Sequence, residues 1–359
     1  IVDYLGPGMV GKYMGFLGII VVACWITATL QMAVVGPGGL KSAWDASMGA
    51  GSYDEVVRTA IESGYVSTPF SLEATFASML LPYGMIWSRN IIPMSGEVQK
   101  PKRDIPISIF VAYIVLNTLF ITSSAVFSGT YGEFSQMYNY VVSKAPEKLS
   151  ITPIMPTNLA AFSAVLTTNP ALAAFILMGP LVGTLGVKPS DYFWTTRPFF
   201  AMAMDRYAPE IFSRVSRFGS PTYGILWCLL LAIVWIFICV AYLPIAAVNL
   251  IFVFTISGWL GASGFSAFVL PFTRPEMWER GFAWRIGSVP LMSVTAFVIL
   301  LINTYVLFST TVDPLSVLFT LAIYGSGLIW YLYFTTRNMV RGIEAVSYTH
   351  LRAHETSLH

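Results

Sequence analysis

Apolar residues along this chain gather into long runs separated by short polar stretches. Eight runs stand out, at residues 13–35, 70–93, 106–128, 168–193, 223–241, 246–270, 286–308 and 315–334. Each approaches or exceeds the ~20 residues that a helix needs to cross a bilayer. Within lipid the backbone must satisfy its own hydrogen bonds, so runs of this length predict helices rather than open strands. The fold class expected is all-α, a polytopic transmembrane helical bundle. Residues 1–345 form the membrane region. Residues 346–359 carry all three histidines in SYTHLRAHETSLH, where hydropathy collapses, and are expected to be a non-native or disordered tail.

Composition agrees. Of 359 residues 56% are hydrophobic and only 11% charged, against roughly 25% charged in soluble domains. Mean hydropathy is +0.69. The net charge of +2 gives no basis for a nucleic-acid partner, and the placement of the charges matters more. With the amino-terminal end of the chain inside, the cytoplasmic segments hold 14 of the 20 Lys and Arg residues. The two longest loops, near 36–69 and 129–167, face outside and hold only Lys41, Arg58, Lys144 and Lys148. The positive-inside rule therefore sets both ends of this chain in the cytoplasm of a multi-pass protein, with the plasma membrane as its expected home. Lys12, at the entrance of the first span, reads as a snorkelling anchor. Cys24, Cys228 and Cys239 sit in apolar runs with no metal or disulfide spacing and read as packing residues. Nucleophile motifs, phosphate loops and metal-ligand clusters are all missing from the sequence, so neither an enzyme nor a cofactor is expected.

One stretch departs from the apolar pattern in a way that bears on chemistry. The second run is interrupted by Pro82 and Gly84, with Tyr83 and Met85 beside them. Proline removes a helical hydrogen bond and glycine loosens the backbone. A break at membrane depth needs protein or a water-filled cavity around it, and in transporters such breaks mark the substrate site. An ordinary proline kink is the other reading of the interruption alone. Pro82, Tyr83, Gly84 and Met85 are the candidate substrate-binding residues.

The segment GEVQKPKRDIP follows directly, and it resembles the loop after the sixth helix of the amino acid–polyamine–organocation family of permeases. Glu97, Pro101, Arg103, Ile105 and Pro106 fill that family's pattern in order. A second match comes from Arg197, Phe200, Ala201, Ala203 and Asp205, then Pro209, Phe212 and Pro221, which follow the end of the family's eighth helix. Residues 272–290 look like its basic loop before helix 11. The resemblance implies a five-plus-five inverted-repeat transporter fold. Counted from the loop matches, this chain supplies helices 5 to 12 and lacks most of the first repeat, and so is expected to be a fragment. The implied function is secondary active transport of an amino acid or related amine, by symport with protons, or Na+, or by exchange. Tyr83 matches the aromatic that closes over the substrate.

Four further residues are candidates for coupling or gating: Lys188, Asp191, Arg103 and Asp205. Lys188 and Asp191 lie three apart and so on one helix face. If the span ends near Val187, Lys188 is an interfacial anchor. If the helix runs on, the pair borders the cavity, and intramembrane ionisable residues are functional candidates by default. Arg103 would hold an inner gate with Asp205. A receptor or scaffold that keeps the fold without transport is the alternative of a different class.

Overall fold

A computed structural model describes residues 2–67, 98–154, 158–242, 245–280, 283–309 and 314–341. The span expected at 70–93 lies outside the described residues. Those described fall into two compact units, one built from residues up to 67, 98–201 and 211–225, the other from 202–210 and from 226 onward.

The first unit is organised along α1 (Pro7–Met48), 42 residues long. The sequence predicts a loop from residue 36. Instead the helix bends there and continues. Gly36 alone leaves helical geometry, at φ 57° and ψ −179°, and Pro37 restarts the helix in the first-turn position that needs no amide hydrogen. α2 (Ser52–Glu62) follows. The segment expected to form a loop is thus largely helical up to Glu62. α3 (Pro101–Tyr131), α4 (Phe134–Lys144), the short α5 (Leu159–Val165) and α6 (Pro170–Met204) complete the unit, α6 passing out of it after Ala201.

Polar side chains tie these helices at backbone carbonyls. Thr130 Oγ1 donates to the Met32 carbonyl at 3.0 Å, Ser163 Oγ to Ala28 at 2.9 Å and Gln31 Nε2 to Leu166 at 3.0 Å. Such bonds join helices where no water competes. Beyond them the C-terminal third of α1, α2, α4 and α5 close on an aromatic cluster. Trp44, fully buried, meets Phe134, Tyr138 and Phe162 at ring separations of 4.8, 5.3 and 6.5 Å, and Tyr53 stacks on Phe134 at 4.2 Å.

The second unit contains most of α7 (Thr222–Tyr242), then α8 (Ile245–Thr273), the five-residue α9 (Pro275–Glu279), a two-stranded hairpin of β1 (Arg285–Ile286) and β2 (Val289–Pro290), α10 (Leu291–Ser309) and α11 (Pro314–Val340). Small residues on α8 let its neighbours approach. Gly258 lies against the hydroxyl end of Tyr324 on α11, and a Cβ at Gly264 would sit 3.1 Å from Leu300 on α10. Asn303 Nδ2 and Ser293 Oγ, both on α10, donate to the Ser257 and Phe268 carbonyls of α8 at 3.0 and 2.8 Å. α6 ends where Arg206 turns to φ 65°, and that turn is docked on α11 by Asn338 Nδ2 donating to the Arg206 carbonyl at 2.7 Å.

Among the described residues five helices, α1, α3, α6, α7 and α11, are long and apolar enough to cross a membrane. α8 and α10, with 29 and 19 residues, are apolar too. Large side chains such as Ile19, Val34, Phe110 and Val240 stand exposed on the spans, as a lipid-facing surface requires. This is an all-α polytopic membrane protein.

Candidate functional site

α6 carries more of the candidate chemistry than any other described helix, and its local sequence explains its course. Asn169 caps it, Oδ1 accepting from the Ala171 and Leu172 amides at 3.0 and 3.3 Å. Pro180, Pro189 and Pro198 lie inside it without ending it. Its glycines have another purpose. Gly179, Gly183 and Gly186, at i, i+4 and i+7, face α1. A Cβ added to each would lie 2.9 Å from Cys24 Cβ, 3.7 Å from Val21 and 3.5 Å from Leu17. These positions break a helix pattern in the sequence, but in the fold they let two helices touch.

Beyond that contact the helix turns polar. Thr195 and Thr196 hydroxyls donate back to the Asp191 and Tyr192 carbonyls at 2.6 and 2.7 Å. Asp191 is half-buried. Arg197 is only 8% exposed, its guanidinium 3.8 Å from the centre of the Phe193 ring and its Nη1 donating to Thr196 Oγ1 at 3.2 Å. A desolvated guanidinium over an aromatic face is a favourable cation–π arrangement.

The amino-terminal residues of the chain close over this end. Asp3 is buried, and its Oδ1 has no hydrogen-bond partner among the described residues. Burial pushes its carboxyl up to about 6, against the opposing pull of the chain's amino-terminal charge, of a backbone hydrogen bond and, least, of the Arg197 charge. Ser220 Oγ donates to the Asp3 carbonyl at 2.6 Å. Gly6, at φ 92°, comes so near Phe218 that a Cβ would lie 2.6 Å from its carbonyl oxygen, so glycine is required there. Asp3, Arg197 and Ser220 thus form a buried polar latch at the N-terminal end of α1. Sequence reasoning places Arg197 in a motif but passes over Asp3 and Ser220. No spacing links residues 3, 197 and 220.

The other candidates fall as follows. Pro82, Tyr83, Gly84 and Met85 lie outside the described residues. The backbone of α6 is helical through Lys188 and on to Asp191, one turn away. At 1.5 Å per residue Lys188 is about 27 Å along the axis from Pro170. Arg103 sits in the first turn of α3, exposed, its Nε 2.8 Å from Asp104 Oδ1. Asp205 is exposed in the turn after α6 and belongs to the second unit. Among the described residues no group of three or more His, Cys, Asp or Glu could hold a metal ion.

The family model described as amino acid permease matches residues 5–334. No curated protein and no solved structure matches the chain. The match takes in every helix from α1 to α10 and most of α11. The chain belongs to the amino acid permease family, and its activity is therefore transport of amino acids, not enzymatic catalysis.

Proposed function

We propose that the protein is a secondary active transporter that moves an amino acid or related amine by symport with protons, or by exchange, with Na+ as the other coupling ion to test. The substrate would sit at the interruption Pro82–Gly84, covered by Tyr83 and flanked by Met85. The protein would lie in the plasma membrane with both ends of this chain in the cytoplasm, as the distribution of Lys and Arg favours.

The observation that carries the coupling reading is the continuity of α6 from Pro170 to Met204. A helix ending near Val187 would leave Lys188 at the membrane surface. With an unbroken helix, Lys188, about 27 Å along the axis from Pro170, would still fit within a hydrocarbon core about 30 Å thick if the span begins at Pro170. Lys188 with Asp191 would then take up and release a proton during the cycle. Arg103 and Asp205 would act as gating charges at the cytoplasmic side.

Uptake of labelled amino acids by the full-length protein in liposomes tests this. Lys188→Met should abolish the dependence of uptake on pH while counterflow exchange at fixed pH persists. A mutant that keeps its pH dependence removes Lys188 from coupling. Tyr83→Ala should weaken substrate binding a few-fold to about thirtyfold, the range of an aromatic cap over a cation, and unchanged affinity would return Tyr83 to a packing role.

A further inference from the structure

A groove lies at one end of α8 and α10, entirely within the second unit. The last turn of α8, α9 and the start of α10 enclose a groove of about 640 Å³ lined by Leu270, Met277, Trp278, Trp284, Leu291 and Met292. That is within the usual range of small-molecule sites. It opens into a cleft of about 510 Å³ that shares Leu270 and Met292 and runs along α8 past Ser266 and Ala262. Eight residues of helix cover about 12 Å, so the combined track extends along the C-terminal part of α8.

Its rim is basic. Arg285 lies over Trp278, 4.7 Å from the ring centre, and Arg274 and Arg280 flank α9. Glu276 and Glu279 stand 3.9 Å from Arg274 and Arg285 and offset two of the three charges. Arg280 is exposed and has no ion pair among the described residues, so the rim keeps a net positive charge. A further observation points to an occupant. Trp278 is 5% exposed and lines the groove, yet its indole N–H has no hydrogen-bond partner among the described residues. Buried donors are costly when left unmet.

We propose that this groove binds one anionic phospholipid. An acyl chain lies in the track along α8, and the headgroup charge meets Arg280 and Arg285. The apolar lining excludes a free phosphate as the better ligand, and the basic rim separates this site from bilayer contact of the ordinary kind. Anionic lipid is concentrated in the cytoplasmic leaflet, which is the side that the proposed orientation gives this groove. The site does not otherwise depend on the transport mechanism.

The test uses the full-length protein in phosphatidylcholine vesicles containing a minor fraction of phosphatidylglycerol, with brominated acyl chains on one lipid or the other. Brominated chains quench tryptophan fluorescence at close range, and the share due to Trp284, which is exposed in the groove, is taken by difference from Trp284→Phe. Brominated phosphatidylglycerol should quench that share more strongly than brominated phosphatidylcholine. Arg280→Gln should reduce the preference about fivefold, the effect of one guanidinium near an anionic surface. Arg274→Gln, Arg280→Gln and Arg285→Gln together should abolish it. Equal quenching by the two lipids overturns the proposal. So does a preference that Arg280→Gln leaves unchanged, a variant whose exposed side chain makes no ion pair for the fold to lose.

Discussion

The two ends of α1 are held by opposite means. At its C-terminal end, Trp44 and the rings of Phe134, Tyr138, Phe162 and Tyr53 pack into a buried cap, and the charges stay outside, as in the exposed Lys41–Asp54 pair at 2.7 Å. At its N-terminal end, Asp3 and Arg197 are buried, and the closure rests on a hydroxyl at a carbonyl and a glycine against a carbonyl. Burial of rings is non-directional and indifferent to protons. Burial of a carboxyl is conditional on its protonation state and on a few directed bonds. A transporter must open one side while the other stays shut. On these energetics the two ends of α1 should answer differently to pH.

The largest expected effect lies in the cap. Trp44→Ala should cost about 3–5 kcal/mol, the range for emptying a large aromatic site, read as a fall in thermal midpoint in detergent. A loss under about 1 kcal/mol would mean that the ring cluster does not hold this end, and the contrast with the latch would fail.

Next is the contact that joins α1 to α6 between the two ends. Gly179→Ala brings a methyl within 2.9 Å of Cys24 Cβ, and both atoms are close to backbone and have little room to move. Overpacking of this kind costs about 1–3 kcal/mol. Cys24→Gly removes the opposing Cβ and should recover most of the loss in the double mutant. Simple additivity of the two changes would show that the helices do not meet there.

How much of this was legible follows from which forces leave a trace in one dimension. Hydropathy marks α1, α3, α6, α7 and α11, because lipid requires an apolar surface over the whole length of a span. The loop motifs around Pro101 and Arg197 lead to the family. The cap is not legible. Trp44 and Tyr138 lie in segments whose polar residues read as loop, and only the pairing of two distant stretches gives their rings a core. Glycine and proline mislead in the opposite direction. Gly36 does bend its helix, yet Pro37 resumes it, and Gly179, Gly183 and Gly186 space a helix pair. The buried carboxyl of Asp3 depends on contacts across nearly 200 residues, which no local pattern encodes.

The latch should answer to pH. Asp3 titrates at about 6 in the folded chain against an ordinary 3.8. Between those values the folded latch holds a proton that the opened one has lost. Its stability is fully present below about 3.8 and declines as pH rises through about 6. Asp3→Asn keeps the neutral form at every pH and should flatten that slope, closing the latch at neutral pH by on the order of 1 kcal/mol. Amide exchange of residues 2–8 followed across pH 4–7 reads it. An identical slope in Asp3→Asn would show that this end is not tuned by its carboxyl.

The smallest effect sharpens the contrast, because the cap carries a carboxylate of opposite sign. Glu55 accepts from the hydroxyl and the amide of Ser150, both at 2.6 Å, and these bonds hold its carboxyl below the ordinary 4.5. A depressed carboxylate contributes stability that is present above 4.5 and lost as pH falls through its folded value. The cap should therefore loosen slightly in acid, in the range where the latch is tightest. Glu55 is half-exposed, so water screens the interaction and the contribution is below about 1 kcal/mol. Glu55→Gln retains an acceptor for Ser150 but carries no charge. It should weaken the cap near neutral pH, leave it unchanged in acid, and leave the rings around Trp44 packed. Exchange rates of the α2 amides in the two proteins, compared at neutral and acid pH, measure this. A Glu55→Gln protein whose α2 loosens further in acid would place the pH sensitivity of the cap elsewhere, and the assignment of one proton-sensitive and one proton-indifferent end to α1 would have to be redrawn around that second group.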